Sequence, residues 1–292
     1  MKPEFTVILF YKFIDVTDPL ALQQEQLKLC QDLGLTGRLL IATEGINGTF
    51  EGVVENINTY IETMHADPRF ADIKFKTSAG NGEAFPKLKI KVRDEIVTLR
   101  PSRPVCPAVE TATELTAEEL EQWYENGEDF VVLDLRNDYE IKCGYFEKTL
   151  DPGLRNFRDL DQAKINELAN DPRVKGKKVL TVCTGGIRCE KATCLMDSEL
   201  FPKLYQLKDG IHDYMEKFPN SHFKGTLFVF DNRSVTDLGA GVDREVVSQC
   251  KFCDRETENY VNDDSLKQSE KILCCEECFD DRADELRAFV SL

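Results

Sequence analysis

The residues best suited to chemistry stand together in Thr181-Val182-Cys183-Thr184-Gly185-Gly186-Ile187-Arg188-Cys189-Glu190-Lys191. A cysteine directly follows a buried-strand pattern at residues 178–182 and precedes a helix, joined to it by a glycine-containing turn. Backbone N–H groups of such a turn and of the helix N-terminus point at the sulfur. Arg188 adds a positive charge, so both features favour thiolate over thiol. Cys183 is expected to be an exposed, low-pKa nucleophile. Arg188 would stabilise an anion there, and the N–H groups of Thr184, Gly185, Gly186 and Ile187 would form the cradle. The four residues between Cys183 and Arg188 make a ring suited to a persulfide or thiosulfate, whereas a cysteine phosphatase needs five to enclose a phosphate. An inert packing thiol would need neither the glycines nor the arginine. Cys189 and Cys194 follow on the helix, five apart and poorly aligned on one face. Cys189 is read as core packing, with resolution of a Cys183 persulfide as the alternative.

A second constellation lies in the tail, Cys250-Lys251-Phe252-Cys253 followed by Cys274-Cys275-Glu276-Glu277-Cys278. Two Cys-x-x-Cys knuckles built from Cys250, Cys253, Cys275 and Cys278 match a tetrahedral zinc ribbon, with Cys274 as an alternative ligand. Four thiolates leave no open position, so such a zinc would be structural; reduced cysteines and redox disulfides are the competing readings. His65, His212 and His222 are too few and too scattered for a histidine metal site and are assigned core or surface roles. Gly80-Asn81-Gly82 reads as a turn rather than a phosphate cradle.

The elements that must position these groups follow from periodicity. Residues 6–14 read as a strand. A helix opens at Asp18-Pro19, carries Leu22, Leu27, Leu29 and Leu33, and stops at Gly34. Strands at 38–42 and 48–52 flank an expected turn, Glu44-Gly45-Ile46-Asn47-Gly48. A helix over 53–66 with Ile57, Tyr60, Ile61 and Met64 comes next, and a strand over 72–77 completes β-α-β-β-α-β, the ferredoxin-like order. Lys87-Leu88-Lys89-Ile90-Lys91-Val92-Arg93 alternates cation and aliphatic residue, which in a strand places the cations on one face. That face is either a solvated edge or a set of phosphate contacts, and both readings stand.

Pro101, Pro104 and Pro107 mark a linker, after which Thr113-Glu114-Leu115-Thr116-Ala117-Glu118-Glu119 begins a helix with a Thr cap. Phe130-Val131-Val132-Leu133-Asp134-Leu135-Arg136 is an aliphatic strand of parallel-sheet type. The strand and helix alternation that continues to Phe218 predicts an open α/β sheet with Cys183 at a strand's carboxyl end, where such sheets bind ligands. Asp134 and Arg136 read as a structural pair; Glu140 and Arg155 are candidates to support the loop. The predicted organisation is α/β overall, with a ferredoxin-like α+β domain at 1–100, a linker at 101–112, a parallel-sheet domain at 113–224 and a Cys-rich region at 225–292.

Composition bounds the class of protein. The chain of 292 residues has eleven cysteines, no apolar run long enough for a membrane span and no signal-peptide pattern at Met1-Lys2-Pro3-Glu4, which predicts a cytoplasmic protein with reduced thiols. The net charge of -16 opposes nucleic-acid binding on its face. Its distribution matters more. From Ala71 to Arg103 eight basic residues face four acidic ones, while the tail is acidic.

Asp134-Leu135-Arg136-Asn137-Asp138-Tyr139-Glu140, Gly144-Tyr145-Phe146 and the Cys183 to Arg188 loop resemble the rhodanese domain, a sulfurtransferase module. Gly37-Arg38-Leu39-Leu40-Ile41-Ala42-Thr43-Glu44-Gly45-Ile46-Asn47-Gly48-Thr49, Lys91-Val92-Arg93-Asp94-Glu95-Ile96-Val97 and His222-Phe223-Lys224-Gly225-Thr226-Leu227-Phe228-Val229-Phe230-Asp231 are similar to blocks of the bacterial rhodanese-containing tRNA uridine hydroxylases. The resemblance spans nearly the whole chain. It implies conversion of the wobble uridine, position 34, to 5-hydroxyuridine with molecular oxygen as co-substrate, and with no metal or organic cofactor in the chemistry. The tRNA anticodon arm is the implied partner, alongside a sulfur- or electron-donor protein. Arg38, Lys87, Lys89, Lys91 and Arg93 are the implied RNA-binding residues. Cys183 would act by adding to C6 of the uracil or as a persulfide. The competing functions are a sulfurtransferase moving sulfane sulfur through a Cys183 persulfide, and a zinc-ribbon interaction protein with a degenerate rhodanese domain.

Overall fold

The structure is a computed structural model describing residues 4–196, 198–238, 245–265 and 270–289. The chain divides into two compact units, Met1–Arg100 with Cys106–Thr111, and Pro101–Val105 with Ala112–Leu292.

The first unit runs β1 (Phe5–Phe13), α1 (Pro19–Asp32), β2 (Thr36–Ala42), β3 (Gly45–Val53), α2 (Val54–Ala66), β4 (Lys76–Ala79), β5 (Leu88–Val92) and a single helical turn, α3 (Pro107–Glu110). Its sheet has the order β4-β1-β3-β2-β5, the ferredoxin-like arrangement extended by β5, which pairs parallel to β2. Asp18 caps α1 by accepting from the N–H groups of Leu20 (3.1 Å) and Ala21 (3.0 Å), and Pro19 opens the first turn without needing a donor of its own. The core gathers Phe10, Phe50, Tyr60, Ile57 and Met64.

Several expected details shift. Leu27 is exposed, and the buried face of α1 is Leu22, Gln26 and Cys30; Gln26 is tolerated there because its Oε1 accepts from the Tyr60 hydroxyl at 2.7 Å. The expected turn at 44–48 is a correction: the reversal occupies Thr43 and Glu44, and β3 already begins at Gly45. Gly45 is needed for a close approach rather than for the turn, since a Cβ there would lie 2.0 Å from the Lys12 carbonyl oxygen. The strand expected at 72–77 forms later, at Lys76–Ala79. Gly80-Asn81-Gly82 forms an irregular loop bent at Gly82, and the buried Glu51 carboxylate fills it, accepting from Asn81 N (2.9 Å), Gly82 N (2.9 Å) and Ala84 N (2.8 Å).

The second unit continues with β6 (Thr113–Leu115), α4 (Ala117–Glu125), β7 (Phe130–Asp134), α5 (Asp138–Ile141), β8 (Gly144–Phe146), β9 (Thr149–Leu150), α6 (Gln162–Asn170), β10 (Lys178–Val182), α7 (Ile187–Thr193), β11 (Leu204–Leu207) and α8 (Gly210–Lys217). A parallel sheet of order β6-β11-β10-β7-β9 forms its centre. All five residues of β7 are buried, as a central parallel strand requires. Residues 113–115, expected to begin a helix, pair instead as β6 with β11; the helix starts one residue after its cap, Thr116, which forms a capping box with Glu119.

The chain ends with β12 (Phe223–Gly225) against β8, β13 (Leu227–Phe228) against β14 (Val235–Thr236), and a three-stranded sheet of β15 (Tyr260–Asp263), β16 (Glu270–Leu273) and β17 (Leu286–Ala288), with α9 (Glu276–Asp280) between the last two. No helix among the described residues is long and apolar enough to cross a membrane.

Asp134 and Arg136 at the end of β7 are fully buried and joined at 3.0 and 2.6 Å, and Arg136 also donates to the Gly144 carbonyl at 2.7 Å. Removing one member strands the other charge in the interior. Arg136→Ala is therefore expected to destabilise the fold by about 3–5 kcal/mol in urea unfolding. The paired replacement Asp134→Asn with Arg136→Met should recover part of that loss, because no charge is then left unpaired.

Candidate active site

Cys183 stands directly after β10, at the carboxyl end of the central parallel strands. Gly186 takes φ +105° at the N-cap of α7, a conformation costly for any residue with a Cβ, and this turns its N–H onto the Cys183 Sγ at 3.2 Å. Burial raises the thiol's pKa. The hydrogen bond from the Cys189 side chain, the charge of Arg188 and the backbone N–H groups of Cys189 and Arg188 outweigh it, lowering the value from 9.0 to about 5. The donors are thus the N–H of Gly186, within the expected run of Thr184 to Ile187, and those of Arg188 and Cys189, just beyond it. The sulfur is not exposed as expected: Cys183 is fully buried.

Arg188 is buried and forked onto Glu140, with its two terminal nitrogens at 2.6 and 2.9 Å from the two carboxylate oxygens and one of them at 3.1 Å from the Thr184 hydroxyl. Glu140 is fully buried on α5 and also accepts from the Asn137 N–H at 3.0 Å. Its burial favours the acid, yet pairing with Arg188 and the nearby Arg136 hold the carboxyl below its ordinary range. Glu140 thus joins the loop directly. Arg155 does not: it pairs with Glu270.

The roles of Gly210 and of the two N–H groups after it escaped the sequence reading. Gly210 opens α8 with φ +73°, and a Cβ there would lie 2.7 Å from the Cys183 carbonyl oxygen and the Gly186 nitrogen. The next two N–H groups, of Ile211 and His212, donate to the carbonyls of Cys183 and Thr184, both at 3.0 Å. The signal was a glycine at a second strand-to-helix turn at the same edge of the sheet.

On the first unit, Arg38 of β2 lies opposite Lys89 of β5, between Lys87 and Lys91 along the strand. The Arg38 guanidinium sits 5.8 Å above the Phe85 ring. Partial burial and then the charges of Lys87, Lys91 and Arg38 lower the Lys89 pKa, the signature of cations gathered on one strip. Arg93, just beyond β5, donates to the Val92 carbonyl.

In the tail the sulfurs of Cys250, Cys253, Cys275 and Cys278 all lie within 4.8 Å of one another, a group that could hold a metal ion. Cys274 stands outside the group, its thiol directed to the Cys275 carbonyl at 3.5 Å and its pKa pushed up to about 12 by burial and by the neighbouring sulfurs.

A thiol whose pKa falls on folding adds stability above its unfolded value, and that stability is lost as the pH drops through the folded value. The stability difference between the wild type and Cys183→Ser should therefore grow from near pH 5 towards pH 9. Thiolate absorbance near about 240 nm should titrate over the same low range and move upward in Arg188→Gln.

Residues 5–96 match the family described as UPF0176 acylphosphatase like domain, and residues 224–286 match the Rhodanase C-terminal family. The chain is 38% identical over 283 residues to the tRNA uridine(34) hydroxylase of Bacillus licheniformis, covering 95% of this chain and 85% of that protein. It is 38% identical over 276 residues to the protein of that name from Staphylococcus haemolyticus, covering 94% of this chain and 85% of that one. The Cytophaga hutchinsonii protein of the same name is 37% identical, with 94% and 86% covered. Kinship at this level runs through both units and the cysteine-rich tail, and the chain belongs to the tRNA uridine(34) hydroxylase family.

Proposed function

We propose that this protein is an enzyme that hydroxylates C5 of the wobble uridine, position 34, of tRNA, forming 5-hydroxyuridine with molecular oxygen as co-substrate. The observation that carries this reading is kinship over 95% of the chain to a protein named for uridine 34 hydroxylation. A thiolate-stabilising loop at Cys183 supports it.

Cys183 is the reactive residue in this reading, and Arg188 keeps its sulfur anionic. The buried position of Cys183 means that covering residues must move before a base reaches it. A uracil presented at C5 must leave its stack, which a single-stranded anticodon loop permits at low cost. The strip of Arg38, Lys87, Lys89 and Lys91, with Arg93 beyond it, supplies phosphate contacts to the anticodon arm despite the net charge of -16, because affinity follows local charge. Such a substrate belongs to the cytoplasm, and the reaction calls for an electron donor.

The four-cysteine group is read as structural zinc. Zinc at about 2.3 Å from four thiolates sets the sulfurs about 3.8 Å apart. The Cys253 and Cys275 sulfurs stand at 3.6 Å and the whole group within 4.8 Å, which fits. With all four positions filled by protein, the ion would hold the tail together and take no part at the uracil.

Nucleoside mass spectrometry of tRNA should show 5-hydroxyuridine lost in a Cys183→Ala strain that lacks other routes to it. Rapid thiocyanate formation from cyanide with unchanged tRNA would replace this reading with sulfurtransfer. Lys89→Glu should weaken tRNA binding and reduce the slope of log K against log salt by roughly one or more. Metal analysis should find about one zinc per chain, lost in Cys275→Ser together with a lower melting temperature.

A further inference from the structure

The sheet of the first unit has two unlike faces, because successive residues of a strand point to opposite sides. On the inward side Ile8, Phe10, Leu39, Ile41 and Phe50 pack with Leu22 of α1 and Ile57 of α2. The alternate residues form the outward side. At one end of it Phe85 packs on Val7, and at the other the Asn47 side-chain amide donates to the Ile96 carbonyl at 2.9 Å. The middle keeps Leu9, Tyr11, Leu40 and Thr49 half-buried rather than covered.

Strand register sorts this outward face by chemistry. One cross-strand row runs Leu9, Thr49, Arg38, Lys89, and the next runs Tyr11, Asn47, Leu40, Lys91. Leu9 and the Tyr11 ring thus stand on β1, and the cations stand along the β2 and β5 edge. The Tyr11 ring is braced in place. The Lys76 ammonium lies 5.5 Å from its centroid, and the Phe13 ring meets it edge-on at 6.2 Å. Among the described residues of β1 to β5, Glu51 is the one carboxylate at an outward position, paired across from Val7. Its oxygens are already taken by the N–H groups of Asn81, Gly82 and Ala84. The face is therefore cationic at one side and apolar at the other, with little acid to repel a polyanion.

We propose that unpaired nucleotides of the anticodon loop lie across this sheet face, with phosphates at Arg38, Lys89 and Lys91 and bases against Leu9 and Tyr11. The proposal rests on the tRNA reading above and says which part of the RNA the first unit holds. A single strand carries phosphate on one side and base on the other, and the face has the same asymmetry. In a duplex the bases are stacked inside and phosphates line both edges, so Leu9 and Tyr11 would gain nothing. One strand, β3, separates β1 from β2, which sets the apolar row about 10 Å from the Arg38 position. A single nucleotide covers that reach. Aromatic rings on an open sheet stack unpaired bases whatever their identity, and cations beside them track the backbone.

The test is binding of the full-length protein to a short oligouridine and to an RNA duplex with the same number of phosphates, each over a range of salt. The wild type should prefer the oligouridine. Tyr11→Ala should weaken oligouridine binding about tenfold and leave both duplex affinity and the salt slope unchanged. Lys91→Ala should weaken both RNAs and lower the oligouridine slope of log K against log salt by about 0.7. Equal oligouridine affinity in Tyr11→Ala, or a wild type that prefers the duplex, would overturn the sheet-face site and leave the hydroxylase reading standing. A wild type that binds neither RNA nor tRNA would overturn both. If Tyr11→Ala fails to fold, Tyr11→Trp decides: its added fluorescence should be quenched by oligouridine, and an unquenched signal would overturn the proposal.

Discussion

The buried ion pair between Arg188 and Glu140 is the interaction on which the rest of the site depends. Neither charge tolerates burial alone, and a forked contact at 2.6 and 2.9 Å lets each satisfy the other. The pair spans two elements distant in sequence, the short helix after β7 and the helix after Cys183. It therefore fixes the Cys183 loop from the side while the helix N–H groups fix it from below. Part of the guanidinium's field is spent on the carboxylate, and what remains still favours the thiolate.

The position of Glu140 is in turn held from the far side of α5. The Arg136 side chain donates to the Glu140 carbonyl at 3.3 Å, and the Tyr260 hydroxyl of the C-terminal sheet donates to the Tyr139 carbonyl at 2.5 Å. Phe228 packs edge-to-face against both Tyr260 and Tyr139 in the same apolar cluster. The cysteine-rich tail is thus continuous with the backing of the Cys183 loop. Leu273, paired with Tyr260 across the sheet, directly precedes Cys274 and Cys275 in the chain.

Much of this was legible in the chain. The strand, glycine turn and helix around Cys183 follow from local patterns, because a buried parallel strand, a positive-φ glycine and a helix start each leave their own signature over a few residues. The ferredoxin-like order was legible for the same reason, with errors of one to several residues at element ends. The misreading of 44–48 shows the limit. Glycines there signalled a turn, yet Gly45 is set by the approach of β1, a strand some thirty residues earlier. Thr113 to Leu115 likewise resembles a capped helix locally and becomes a strand only because β11 offers its edge.

The sequence by itself determined which residues could react: a cysteine ahead of a helix N-terminus with an arginine after a gap of four residues, a cationic strand, and two Cys-x-x-Cys knuckles. Only the tertiary structure decided that Glu140 holds Arg188, that Gly210 must lack a Cβ, and that the sulfur is buried. The physical reason is one of range. Backbone conformation and hydrogen-bond capacity are written within a few residues, whereas burial, ion pairing and the pKa of a thiol are set by groups that the fold brings together from distant parts of the chain.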